Sequence, residues 1–252
     1  MSPLVFALVL TAACAHALWN FFSKKVSGNF TVFWYGLVLS NAVLFVYTLY
    51  CFFTEGFDAR GLLPAAVSAA AHAGYFTALC YNYSQRTDIS TVYPIARGTG
   101  VMGTALLSYA IFAEHIPPFA ALGIAAVCAG IILMAASGLA HARINLKPCL
   151  VALLTGLCTV AYSLADKQGV RYINPLAYNN ILTLAAILPL APLAHPKGRA
   201  EAGKLLRSYF KETLIIGFGC TGTYILILWA MRFERASYVV SLREFSVVIA
   251  SL

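Results

Sequence analysis

A series of apolar runs, each close to 20 residues long, divides this sequence from end to end. Eight complete runs can be delimited, and they occupy residues 3–22, 31–53, 62–83, 90–113, 118–140, 149–166, 174–194 and 213–231. A ninth begins near Ser237 and is still apolar at Leu252, several residues short of a full span. Since an α-helix of about 20 residues crosses the roughly 30 Å of hydrocarbon in a bilayer, the pattern predicts an all-α integral membrane protein. The short ninth run indicates a fragment or a truncated product.

Composition excludes the soluble classes of protein. The chain is 61% hydrophobic and 10% charged, with a mean hydropathy of +0.80, whereas soluble domains are about 25% charged. Its 17 Lys and Arg against 9 Asp and Glu give a net charge of +8. This positive charge suits the anionic surface of a lipid bilayer. The sequence lacks the basic face interleaved with aromatic residues that would predict nucleic-acid binding. The seven cysteines form no C-x-x-C motif, so we expect buried free thiols, with no metal site and no cofactor.

The loops are short except for residues 195–212. In that loop apolar and basic residues alternate at helical spacing, which predicts an amphipathic helix at the membrane interface, with a solvated loop as the alternative. The loops after helices 1, 3, 5 and 7 hold ten Lys and Arg, and the alternate loops hold five. By the positive-inside rule, this asymmetry places the N-terminus outside the cell.

Two stretches of sequence recur at nearly the same separation. Residues 9–24 align with 153–168 at an offset of 144, and residues 89–105 align with 236–252 at an offset of 147. The matches predict two copies of one unit, residues 1–140 with helices 1–5 and residues 149–252 from helix 6 onward. Because five spans is an odd number, the second copy would enter the membrane upside down. Inverted repeats of this kind are typical of secondary transporters, which bind substrate near mid-membrane between the halves.

Arg97 lies inside an apolar run, about 12 Å along the helix from Ile89. A guanidinium at this depth faces a bundle interior or an aqueous cavity, since exposure to lipid would cost several kcal/mol. Its role is either a structural ion pair or anion binding and gating. The repeat aligns Arg97 with Glu244, so we predict a salt bridge between them. Arg243 precedes Glu244, and neighbours on a helix point about 100° apart, so those two should not simply neutralise each other.

The segment around Arg97 contains a second feature. Tyr93 precedes the arginine and is a candidate cavity residue, and the sequence GTGVMG follows at residues 98–103. This sequence matches G-x-G-x-x-G, but no strand precedes it, so it fails the context of a dinucleotide site. Small residues let helices approach closely, and close helix packing is the better interpretation.

Polar residues in other runs could line a cavity between the two units. His16 and Asn20 share one face of the first helix, with Trp19 beside them. There His16 could take up a proton and Trp19 could stack on a substrate, while the alternative for Trp19 and Asn20 is anchoring at the membrane interface. In the third run His72 and Tyr75 lie among alanines and a glycine. They are cavity candidates as well.

Asp166 ends the sixth run beside Tyr162 and Lys167. It is either a coupling carboxylate or an ion at the membrane boundary, and its place next to Lys167 favours the boundary; Tyr162 is a cavity candidate. After the fourth run, Glu114 and His115 have the character of loop residues. On the seventh helix a polar patch is either interfacial or cavity-lining: Tyr178, Asn179, Asn180 and Thr183.

Three motifs together resemble the EamA-type branch of the drug/metabolite transporter superfamily. They are HALWN at residues 16–20, YSQRTDISTVYPIAR at 83–97 with Glu114 closing that helix, and ASYVVSLRE at 236–244. The resemblance extends over essentially the whole chain. It implies ten helices in two inverted five-helix units, with a central cavity formed by helices 1, 3, 4, 6, 8 and 9. It also implies that both termini lie in the cytoplasm, whereas the count of Lys and Arg in the loops places the N-terminus outside the cell. The chain departs from this pattern because the tenth helix and part of the ninth are absent.

The resemblance also implies export or exchange of small polar or amphipathic metabolites, such as amino acids, by alternating access and often with protons. We therefore expect a multi-pass secondary transporter of the inner (plasma) membrane, in which His16, Asp166 and Glu244 are the candidates for proton coupling. No Walker motif indicates ATP use. A non-transporting scaffold or accessory subunit is one alternative, and a membrane-embedded enzyme is another, although the sequence has no H-E-x-x-H or G-x-S-x-G motif. Substrate, direction, coupling ion and a homodimeric assembly stay open.

Overall fold

The computed structural model describes residues 1–56, 58–84, 89–114, 116–141, 146–196 and 198–246. This part of the chain forms eleven α-helices: α1 Pro3–Lys25, α2 Phe30–Thr54, α3 Leu62–Ser84, α4 Ile89–Phe112, α5 Pro118–His141, α6 Leu146–Gly169, α7 Pro175–Ile187, α8 Ala191–Ala194, α9 Arg199–Ser208, α10 Phe210–Phe233 and α11 Ala236–Arg243. Two short 3₁₀ helices cover Ala59–Gly61 and Leu188–Leu190.

Six segments of the described chain are long and apolar enough to cross a membrane: Pro3–Lys25, Phe30–Thr54, Pro94–Phe112, Lys147–Gly169, Pro175–Ala194 and Phe210–Phe233. They confirm the all-α membrane class. Large apolar side chains cover the outside of the bundle, and Phe53 and Phe119 are 79% and 89% exposed. Such a surface suits contact with acyl chains. The count of eight complete spans stays a prediction, and the end of the ninth run, residues 247–252, lies outside the described residues.

The seventh span is not the unbroken helix that the sequence predicts over 174–194. Helix α7 ends at Ile187, a 3₁₀ turn follows over Leu188–Leu190, and α8 is a single turn. Pro189 and Pro192 account for the break, because each lacks the N–H that an α-helical hydrogen bond requires. The Trp34 indole N–H donates to the Ile187 carbonyl oxygen at 2.7 Å, which satisfies an acceptor at the end of α7.

The basic loop before the eighth span contains the predicted amphipathic helix in a shorter form. Helix α9 ends at Ser208, and α10 begins at Phe210, three residues before the predicted start at 213. Ala202 is buried and Leu205 packs against the bundle, whereas Phe210 is exposed. The apolar face of α9 therefore contacts protein, and Phe210 belongs to the next helix. Lys197 lies outside the described residues.

The glycines after Arg97 allow close packing of α4, as the sequence predicts. A Cβ atom on Gly100 would lie 3.0 Å from Thr159 Cγ2, and one on Gly103 would lie 2.6 Å from Val160 Cγ2. Both neighbours are on α6. Across the same contact, a Cβ on Gly156 would lie 2.7 Å from the Ala96 carbonyl oxygen. The three glycines set the distance between α4 and α6.

Glu114 lies in the loop after α4, as the sequence suggests, but it is buried there. It is 7% exposed and accepts hydrogen bonds from the Ala236 N–H at 2.9 Å and from the Ser237 hydroxyl at 2.7 Å. A carboxylate at this position satisfies free N–H groups of the helix and opposes the positive end of its dipole. Glu114 thereby fixes the start of α11 against the end of α4. Its neighbour His115 lies outside the described residues.

The described cysteines are free, but they are not all buried. Cys51 is buried within α2, whereas Cys14 is exposed on the outside of α1. The expectation of buried thiols is therefore wrong for Cys14, since an apolar run in a membrane protein has a lipid-facing side as well as a packed one.

Candidate functional site

A cavity lies at the centre of the bundle, with walls from α1, α2, α3, α4, α6, α7, α10 and α11. Its lining residues include an imidazole or an aromatic ring from each of α1, α3, α6 and α10, and one arginine each from α4 and α11. The space open to water is about 50 Å³, enough for a few water molecules. In this arrangement the cavity fits a small polar group and not a whole metabolite.

The arginine of α4 makes the ion pair that the sequence predicts. Arg97 Nη1 donates to Glu244 Oε1 at 3.1 Å, and Glu244 is 4% exposed. Arg97 Nη2 lies 2.7 Å from His16 Nε2. Because a guanidinium only donates, His16 Nε2 is the acceptor and carries no proton in this arrangement. Proton uptake by His16 at Nε2 would require Arg97 to move.

Arg243 reaches the same carboxylate at a longer distance. Its Nη2 atom lies 4.0 Å from Glu244 Oε1, so adjacent positions on α11 do approach each other, in part against expectation. The contact is too long for a hydrogen bond. Arg243 is 4% exposed and lines the cavity. Two guanidinium groups thus share one carboxylate, and the cluster carries an excess of one positive charge.

Aromatic rings form another part of the cavity wall. The His72 ring stacks on Tyr162 with centroids 4.2 Å apart, and it meets the edge of Tyr224 at 4.9 Å. Tyr75 lies 5.8 Å from Tyr162 in an edge-on contact. On α1, Trp19 is 3% exposed and contacts His16 edge-on at 5.0 Å. The rings make this part of the wall largely apolar.

Asp166 is a buried carboxyl group and not a boundary ion. It is fully buried, the Tyr178 hydroxyl donates to Oδ1 at 3.0 Å, and the Tyr224 hydroxyl donates to Oδ2. Lys167 turns away from it, because its Nζ donates at 2.7 Å to the carbonyl oxygens of Met231 and Glu234 at the end of α10. The sequence neighbours therefore do not pair.

The structure brings most of the candidate residues to this one cavity. His16, Trp19, His72, Tyr75, Arg97, Tyr162 and Arg243 all line it. Asn20 is not among the lining residues; it donates to the His16 carbonyl oxygen at 2.8 Å. Glu244 lies behind the arginines and faces a groove between α5 and α11. The Tyr93 side chain lies outside the described residues.

Several residues of the wall were not among the candidates. Tyr224 and Thr223 come from α10, whose sequence carries no charge in its centre to draw attention to it. The polar patch on α7, for which the sequence left an interfacial and a cavity-lining role open, contributes Asn179 and Thr183 to the wall. Tyr178 of the same patch contacts Asp166, and Asn180 donates to the Asn41 carbonyl oxygen at 2.6 Å.

Residues 146–252 match the family described as the EamA-like transporter family. A search of curated proteins finds no significant match. The matched part contributes Tyr162, Tyr224 and Arg243 to the cavity. Over residues 146–252, the chain is therefore similar to EamA-like transporters.

Proposed function

We propose that this protein is a secondary transporter, an exporter or exchanger, of a small metabolite such as an amino acid. The observation that carries the proposal is the central cavity, which places two buried arginines beside a wall of aromatic rings within a bundle of membrane-spanning length. Charged side chains inside a membrane protein mark substrate or ion pathways. The family match supports the same class of function. We place the protein in the inner (plasma) membrane.

Alternating access between two inverted units is the mechanism that we propose. Helix pairs on the two sides of the bundle support it, because α3 packs on α6 as α1 packs on α10, and α3 packs on α7 as α10 packs on α2. Exchanging α1 with α6, α2 with α7 and α3 with α10 converts one set of pairs into the other. Rocking of one unit against the other would then open the cavity on alternate sides.

The small size of the cavity fits an intermediate of such a cycle. A space of about 50 Å³ is below the 300 Å³ or more of typical small-molecule sites. Substrate entry therefore requires separation of the helices around it. The Arg97–Glu244 pair joins α4 to α11 across the two predicted units, so this contact is a candidate for the closed gate.

Proton coupling through Asp166 is part of the proposal. Glu244 is held by arginines and His16 Nε2 accepts from Arg97, so neither is placed to exchange a proton freely. Asp166 has no ion-pair partner among the described residues, and hydroxyl groups donate to it. Ser68 and Arg243 complete its electrostatic surroundings. Tyr224, which donates to Asp166 and also lines the cavity, connects the carboxyl group to the substrate space.

Transport by the reconstituted full chain tests this function. We expect the protein in liposomes to accumulate at least one labelled metabolite from a panel of amino acids and organic acids, above protein-free vesicles, under an imposed proton gradient or in counterflow. Arg97→Ala and His16→Ala should each reduce the rate. Absence of movement for every compound under every gradient would contradict the proposal and favour a scaffold, and unchanged rates in both variants would make those residues purely architectural.

A further inference from the structure

The wall of the central cavity holds hydrogen-bond donors that have no acceptor. Trp19 Nε1 and Arg243 Nε are buried there without a partner among the described residues. Both groups can only donate. The Asn179 amide nitrogen and the Thr223 hydroxyl oxygen in the same wall are also without a partner in the described chain. Since buried polar groups are nearly always hydrogen-bonded, these four atoms indicate a ligand that brings acceptors.

The charges around the cavity point to the same kind of ligand. Arg97 and Arg243 both line it, and no carboxylate is among its described lining residues. Their one shared counter-charge, Glu244, sits 3.1 Å from Arg97 and 4.0 Å from Arg243. Arg243 is therefore the less neutralised of the two, and it makes no hydrogen bond to a described residue. A buried guanidinium in this state is a ready receptor for an anion.

We propose that the cavity binds a monocarboxylate that carries no ammonium group, with Arg243 and Trp19 donating to the carboxylate. This inference rests on the proposed transport function and narrows its substrate class from amino acids to simple organic acids. An amino acid would need an acceptor for its ammonium group. Among the described residues of this region, the carboxylate oxygen without a partner, Glu244 Oε2, belongs to a residue that faces the groove between α5 and α11. The Thr223 hydroxyl could also accept, but it carries no charge to balance an ammonium group.

The aromatic rings of the cavity wall determine which group can be attached to the carboxylate of the ligand. Tyr162, Tyr75 and Tyr224 present aromatic surface next to the arginines, and a flat aromatic or apolar group packs well against such rings. The present space accommodates the carboxylate alone, and the body enters as the surrounding helices separate. An aromatic monocarboxylate combines both features.

A matched series of ligands tests the charge requirement on the unmodified protein. Benzoate, benzamide, benzylamine and phenylglycine have the same ring with an anionic, neutral, cationic or zwitterionic substituent. We expect calorimetric titration of the full chain in lipid nanodiscs to show benzoate binding about tenfold to a hundredfold more tightly than the other three, because hydrogen bonds to a charged acceptor are the strong ones. Equal binding of benzamide or phenylglycine, or no binding of benzoate, overturns the inference.

Variants at Arg243 test the receptor. Arg243→Gln should abolish the preference for benzoate over benzamide, and Arg243→Lys, which keeps the charge but not the planar fork, should retain part of it. Arg232→Gln is the matched control, because Arg232 is exposed at the end of α10, and it should bind as the wild type does. A full preference in Arg243→Gln contradicts the assignment.

Exchange in proteoliposomes separates this inference from the proposed function. Movement of a cation or zwitterion without movement of benzoate above protein-free vesicles would leave a transporter and overturn the anion site. Selective benzoate binding without movement of any solute would retain the anion site and overturn transport. We expect both selective binding and exchange of benzoate.

Discussion

Two buried acidic side chains near the cavity, Glu244 and Asp166, have different surroundings. Glu244 receives one arginine at 3.1 Å and another at 4.0 Å. Asp166 receives hydroxyl groups from Tyr178 and Tyr224. A carboxylate between two cations is held ionised, whereas one among neutral donors can be charged or neutral without leaving an unpaired ion. On this basis we propose that Glu244 carries a fixed structural charge and that Asp166 exchanges the coupling proton.

Removing the fixed charge should have the largest effect on stability. Glu244→Gln leaves two arginines buried without a counter-charge, and breaking a buried ion pair in this way costs about 3–5 kcal/mol. We expect the free energy of unfolding in detergent to fall by that amount, measured by denaturant titration. A double variant, Arg97→Glu with Glu244→Arg, keeps one pair of opposite charges and should recover part of the loss. No recovery at all would argue against the pair.

Close packing between α4 and α6 gives the next largest effect. Gly156→Ala would place a methyl group 2.7 Å from the Ala96 carbonyl oxygen and 2.5 Å from Thr99 Cβ. Overpacking of this kind costs about 1–3 kcal/mol, again measured from unfolding. Gly123→Ala on α5 is the control, since a Cβ there meets no atom within 4 Å. Equal stability of the two variants would contradict the close contact.

The exchangeable proton at Asp166 is tested by Asp166→Asn. The amide keeps the size and one acceptor for the tyrosines but cannot change charge, so proton-driven uptake should fall about tenfold, equivalent to about 1.4 kcal/mol, while counterflow persists. In wild-type vesicles, uptake should rise as the external pH falls, and the variant should lose this dependence. Initial rates of labelled uptake measure both.

Asp58→Asn is the matched control for that substitution. Asp58 lies outside the spans, where hydrogen bonds from Arg60 lower the pKa of the carboxyl below its usual value. The carboxylate therefore stays ionised and takes no part in coupling, and its variant should transport as the wild type does. Proton-driven uptake that survives in Asp166→Asn would return the coupling role to His16 or Glu244.

The Arg97–Glu244 pair could be predicted from the sequence because two independent arguments, the depth of Arg97 in an apolar run and the repeat alignment, point to the same partner. A guanidinium inside an apolar run needs a polar partner, and the repeat aligned it with Glu244. The glycines after Arg97 were predictable for a similar reason, since small residues in a membrane helix mark a close contact. In both cases the local pattern leaves few alternatives.

Asp166 shows where sequence reasoning stops. Its position at the end of an apolar run, next to Lys167, predicted a boundary ion. The environment of Asp166 instead comes from Tyr178 on α7 and Tyr224 on α10, and no local pattern reports that those helices close around it. Arg243 gives the same lesson, because the lack of a partner for its Nε atom among the described residues depends on how the surrounding helices pack.

The smallest effect should come from an ion pair that resembles Arg97–Glu244 in distance alone. Lys25 Nζ lies 2.9 Å from Glu212 Oε1, but the Lys25 side chain is 57% exposed. Water and salt screen such an exposed pair, and forming it costs side-chain conformational entropy. Its contribution to the free energy of unfolding is therefore small. Lys25→Gln should leave the unfolding midpoint within error of the wild type at low and at high salt. A loss as large as that of Glu244→Gln would mean that burial is not what makes the Arg97 pair strong, and the distinction between fixed and exchangeable charge would then need another basis.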